Sequence, residues 1–299
     1  MELDRRRVIR IRGSYVVYLP KRFMSRLDPA EVEVFWEDDF AGVRPVAATK
    51  YVIEGGEQAA LLLISAYVSG LDDVIVKARL DVVNKAVAKI YAEVREAEGG
   101  YYVKFVDKYV DKAVVVDRMY QSLVYVLSGL ARGIADRKAL AAVDDEVDRL
   151  RLVANRLCAK YPTPSCAFYV QLARYFERAL DHVVDLYDER PRQELWTALL
   201  DAAEELGRAK DRGVAALLRY VETAPSTRFK AAQLARGELQ TLHAARIVDY
   251  LANAAEVYLD LKIYKAVKKS PSGGQDEGTR RSARAEDSEN DAALGAAIT

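Results

Sequence analysis

The sequence predicts an α+β protein that is mostly α, and three observations carry that expectation. An amino-terminal stretch alternates basic and apolar residues around a glycine, and a short middle segment mixes helix and strand signals. From Val110 onward, apolar residues recur at helical spacing with little interruption. With 299 residues, 51% of them hydrophobic, the chain has room for about two domains with cores of their own. The expected divisions are a small β domain over 1–50, an α/β connecting segment over 51–109, a helical bundle over 110–269 and a disordered tail over 270–299.

Residues 5–20, RRRVIRIRGSYVVYLP, read as two strands joined at Gly13-Ser14, a hairpin signal. Pro20 opens a short helix, KRFMSRL, because proline suits a first helical turn, and Asp28-Pro29 ends it. VEVFW and GVRPVAA read as two further strands. About fifty residues of this kind hold too little core to close alone, so the unit needs a partner chain.

The connecting segment reads as a helix over 57–70 ending at Gly70 and a strand at Asp73–Lys77. A helix over Leu80–Tyr91 and two strands around Gly99-Gly100 follow. Beyond it, helices are expected at 111–135, 138–160, 166–189, 192–222 and 226–266. Leu140, Val143, Val147, Leu150 and Leu157 form one apolar stripe, and Leu172, Phe176, Leu180, Val183 and Tyr187 another. The short connections YPTPS, ERPR and TAPS make neighbours antiparallel. After Lys269 apolar periodicity disappears, as in disordered segments.

The 45 basic and 45 acidic residues balance, but residues 1–26 hold eight Lys/Arg against Glu2 and Asp4. Such a local excess suits an anionic partner. With no secretory signal and no run of about eighteen apolar residues, a cytoplasmic protein without membrane insertion is expected. Only four Asn occur while Arg, Glu, Val and Ala abound, which points to a thermophilic source. Cys158 and Cys166 flank YPTPS; they read as buried thiols in a mesophile's cytoplasm or as a disulfide in a hyperthermophile. Two cysteines alone make no zinc site.

GSYVVYLPKRF, with the basic hairpin before it and VEVFW after it, resembles the swapped-hairpin DNA-binding domain of the AbrB/MazE family over about residues 3–48. The resemblance implies a homodimer of exchanged hairpins on double-stranded DNA. Arg5, Arg6, Arg7, Arg10, Arg12, Lys21 and Arg22 would meet phosphates and grooves. The chain departs from the family before the third strand, where RLDPAEVEV replaces its leucine-proline-glycine-aspartate.

DDEVDRLRLVANRL (144–157) followed by ARYFERALDHVVDLYDE (173–189) resembles the paired helices of PhoU-type phosphate-uptake regulators. That family repeats a three-helix unit and carries an acid, three residues, then aspartate; here these are Asp144 with Asp148, and Glu177 with Asp181. HAARIVDYLANAAEVYLD (243–260) resembles the second repeat, with Ala245 in the acidic place and room for two long helices rather than three. Archaeal PhoU-like proteins join an AbrB-type head to this bundle through a small α/β segment, so the resemblance spans about residues 3–266 in order.

Residues four apart share a helix face, so Asp144, Asp148, Glu177 and Asp181 are the expected ligands of divalent or iron-type metal ions. The competing reading is a solvated face neutralised by Arg151, Arg174 and Arg178. His182 and His243, the chain's two histidines, read as surface or capping residues, with metal or acid–base work as the alternative, more for His182 than for His243. No phosphate loop, Ser/His/Asp or Cys/His arrangement marks an enzyme. The expected function is a DNA-binding transcriptional regulator of phosphate uptake, with a bundle that senses a signal or binds a sensor protein. The alternatives are an adaptor of a phosphate transporter ATPase whose head only dimerises it, and an abundant non-specific DNA-organising protein.

Overall fold

The computed structural model describes residues 7–12, 14–24, 32–38, 40–45 and 51–269; the expected disordered tail lies outside the described residues. The chain is α+β and mostly α, as the sequence predicts. Among the described residues no helix is long and apolar enough to cross a membrane.

In the head, β1 (Ile9–Ile11) pairs antiparallel with β2 (Ser14–Val16), and Ile11 faces Ser14. The reversal therefore falls one residue earlier than the expected Gly13-Ser14, and Arg12 takes a φ of 44°. A two-residue hairpin loop needs positive φ there to match the strands' twist. The short helix α1 (Lys21–Met24) follows Pro20. β3 (Val32–Glu37) and β4 (Phe40–Pro45) form a second, separate two-stranded sheet.

The connecting segment holds a four-stranded sheet ordered β5 (Tyr51–Glu54), β6 (Asp73–Lys77), β8 (Gly100–Phe105) and β7 (Ala92–Ala97). β5 runs parallel to β6, so α2 (Gln58–Val68) carries the crossover. α3 (Leu80–Val87) ends one turn short of the expected Tyr91. Ile53, Val74, Val76, Val103 and Phe105 bury one sheet face against Leu63 and Tyr67.

Six helices make the bundle: α4 (Lys112–Ala131), α5 (Arg137–Lys160), α6 (Cys166–Asp188), α7 (Gln193–Arg212), α8 (Val214–Leu234) and α9 (Glu238–Lys269). Asp111 and Asp136 start α4 and α5 by accepting hydrogen bonds from the backbone N–H groups of Ala113 and Ala139, each 2.7 Å. The second half corrects the expectation of two long helices, because it contains three. Gly213, at φ 101°, breaks the expected 192–222 helix between α7 and α8, a backbone state open mainly to glycine. Pro225, expected in a connection, lies inside α8. Proline there costs about 3 kcal/mol, and packing of α8 along α9 offsets it.

A buried charge network ties the connecting sheet to the bundle. Arg156, 1% exposed, donates to Asp107 at 2.8 Å and to the carbonyls of Tyr67 and Leu71 at 2.9 and 2.6 Å. Lys160 bridges Asp72 and Asp107. The β3–β4 hairpin sits on the α5–α6 turn, where Ser165 donates to Glu37 at 2.6 Å and Lys112 pairs with it at 2.9 Å. Phe35 meets Tyr161 edge-on, and Arg44 lies over the same ring while pairing with Asp72. Cys158 and Cys166 are joined as a disulfide across that turn.

Candidate functional site

The apolar stripes of α5 and α6 face each other and turn their acidic residues to one rim. Asp148 from α5 and Glu177 and Asp181 from α6 each offer a carboxylate oxygen, all within 4.8 Å of one another. Three of the four expected ligands therefore converge. Asp144, one turn earlier on α5, stands outside that group but within its field. Burial first, then the charges of Asp148, Asp181 and Asp145, push its carboxyl up to about 6. Burial is also the main cause that raises Glu177 and Asp181, with neighbouring carboxylates adding to it.

Cations already share this patch. Arg151 lies 3.1 Å from Glu177, and Arg178 lies 3.7 Å from Glu177 and 3.4 Å from Asp181. Arg174, also expected to neutralise it, forms no ion pair with these acids among the described residues. The oxygen donors suit a hard or borderline divalent ion, while the guanidiniums supply the competing compensation. Asp148 and Arg151 also line a cleft of about 270 Å³ bordered by Lys85 and Lys89 of the connecting segment.

In the head, Arg7, Arg10, Arg12 and Lys21 are exposed. Arg5 and Arg6 lie outside the described residues, as does the side chain of Arg22. Between these cations stand exposed apolar side chains: Ile9, Ile11, Val17, Tyr18 and Tyr15, the last 73% exposed. The hairpin thus offers positive charge for an anion and, within one chain, leaves its apolar residues uncovered.

One constellation escaped sequence reasoning. His182 of α6 and His243 of α9 meet with their Nδ1 atoms 2.9 Å apart, and Asp185 lies 3.8 Å from His243. The histidines are 61 residues apart and only the packing of α6 on α9 joins them. Their being the chain's only two was the signal available beforehand. The chain matches no known protein family, no curated protein and no solved structure.

Proposed function

We propose that the chain is a dimeric DNA-binding regulator, built as an AbrB-type head on a PhoU-like sensory bundle and acting in the cytoplasm on phosphate uptake. The observation that carries this reading is the head's surface. Arg7, Arg10, Arg12 and Lys21 stand exposed on and beside a hairpin whose apolar residues a single chain leaves bare. A second copy exchanging hairpins would cover the apolar residues and double the cations. Two three-helix units in the bundle, α4–α6 and α7–α9, support the PhoU-like reading. The carboxylate patch on α5 and α6 is its candidate receiver of a divalent or iron-type ion, and the β3–β4 hairpin rests on the turn between those helices.

The test is DNA binding by the full chain over a range of salt. A dimer neutralising about six phosphates gives a log–log slope of about −5. Replacing Arg10 and Lys21 together by alanine should flatten that slope and weaken all sequences alike. Affinity unchanged by the double substitution would remove the DNA reading. Loss of all discrimination between a genomic target and bulk DNA would instead favour a DNA-organising role.

A further inference from the structure

We propose that His182, His243 and Asp185 form a binding site for a borderline divalent transition-metal ion, with zinc as the type case. This goes beyond the DNA-binding reading and does not depend on it. It uses none of the carboxylates of the α5–α6 patch.

The geometry supplies the argument. Two imidazole nitrogens from different helices point at one spot, Nδ1 to Nδ1 at 2.9 Å. Asp185 brings a carboxylate oxygen to the same spot, and all three ligand atoms lie within 4.8 Å of one another. With zinc–nitrogen bonds of about 2.0–2.1 Å at a tetrahedral angle, two ligand nitrogens stand about 3.3 Å apart. The observed pair needs to open by only a few tenths of an ångström. Without metal, the short contact requires one imidazole to carry its proton on Nδ1 while the other keeps a lone pair there. A cation would take that proton's place and use both lone pairs.

The surroundings set the type of ion. Imidazole with a single carboxylate suits zinc, cobalt, nickel or iron(II) better than magnesium or calcium, which prefer all-oxygen shells. Asp185 is 57% exposed, whereas His243 is 14% exposed. The third ligand therefore faces solvent and the fourth position is open to water, as in zinc sites that exchange or polarise a ligand. Tyr250 holds the His182 ring by stacking at 5.7 Å and 18°, and Tyr175 stacks on Tyr250 in turn. Burial first, then His243, Arg246 and Arg178, disfavour a positive charge at His182, while Asp185 favours one. The site should bind a metal with moderate affinity. A bound ion would clamp α6 of the first three-helix unit to α9 of the second.

The experiment uses full-length, tag-free protein stripped with EDTA, then dialysed and titrated with zinc by calorimetry. Melting is followed in parallel. One zinc per chain is expected at this site, with a melting-temperature rise of about 5 °C or more when free zinc stands a hundredfold above Kd. Any rise that the same concentration of magnesium gives through the carboxylate patch should persist when His182 and His243 are replaced, whereas the zinc rise at this site should not. His243→Asn and His182→Asn should abolish the effect, and cobalt(II) should give visible absorption bands that vanish in both. Asp185→Asn alters a largely exposed side chain and so tests the site without disturbing packing. It should weaken zinc by about tenfold or more, since even outer-shell partners cost that much. Asp148→Asn, in the neighbouring carboxylate patch, should leave zinc binding in place. No zinc uptake by the wild type overturns the proposal, as does uptake that survives both histidine replacements or a zinc affinity unchanged by Asp185→Asn.

Discussion

The head and the bundle spend their apolar residues in opposite ways. In the bundle, Leu123, Leu150, Leu172, Phe176, Leu180 and Leu251 are each at most 1% exposed, and each helix covers another's stripe. In the head, strands of similar composition leave Tyr15 at 73% and Trp36 at 76% exposure. Two separate two-stranded sheets cannot cover each other's faces, whereas six helices of 20 to 32 residues can. Apolar content alone does not make a core; the number of elements available to close around it decides.

The largest expected effect tests that contrast directly. Residues 1–50 alone should be folded only as a dimer, with ellipticity that falls on dilution as sedimentation reports dissociation. A folded monomer would erase the difference between the two regions.

Next is the joint between the connecting sheet and the bundle. Arg156→Ala takes from Asp107 one of its two cations, Lys160 being the other, and removes a donor from the carbonyls of Tyr67 and Leu71. Losing such a set of buried charge-assisted hydrogen bonds costs on the order of 3–5 kcal/mol. The melting temperature should drop on the order of 10 °C. A drop under about 2 °C would mean the network contributes little to holding the two parts together.

A smaller effect of opposite sign is expected at the patch rim. Asp144 is pushed up to about 6 in the folded chain, above its unfolded value of 3.8. The folded state therefore binds the proton more tightly, and stability falls as pH rises from about 4 to 6. Asp144→Asn removes that cost, which partial solvent access reduces to about 1 kcal/mol. In EDTA at pH 7.5 it should raise the melting temperature by about 2–4 °C, a gain that fades towards pH 4. A gain independent of pH would trace the effect to packing.

The smallest effect concerns the head's seat on the body. Burial alone would raise the Glu37 carboxyl, but hydrogen bonds from Ser165, Thr163 and Lys112 outweigh it and hold it below the ordinary value of 4.5. Its contribution is therefore present above pH 4.5 and is lost as pH falls through the lowered folded value. Glu37→Gln should move the melting temperature by about 2 °C or less while speeding amide exchange in β3 and β4. Unchanged exchange would show that the aromatic contact of Phe35 with Tyr161 suffices.

Much of this was legible where the chain obeys one period. The 3.6-residue stripes and the short turn YPTPS mark α5 and α6 closely. The i, i+4 acids across a tight turn foretold the convergence of Asp148, Glu177 and Asp181. The second half was harder, because Pro225 carries a stronger stop signal than Gly213 although Gly213 is the real break. β5 is only four residues long, and a parallel partner from the far side of α2 defines it. The His182–His243 pair and the seat of Glu37 on Ser165 arise from packing between distant segments, which no local period encodes.

The order of parts along the chain has a consequence for synthesis. The head comes before more than 200 residues of connecting segment and bundle. At about 5–20 residues per second, its strand edges and exposed tyrosines stand open for on the order of ten seconds or more before the body is complete. Unpaired edges of this kind are templates for any passing strand. Heads emerging from adjacent ribosomes on one message would find each other at high local concentration, which favours pairing between sister chains over capture by strangers.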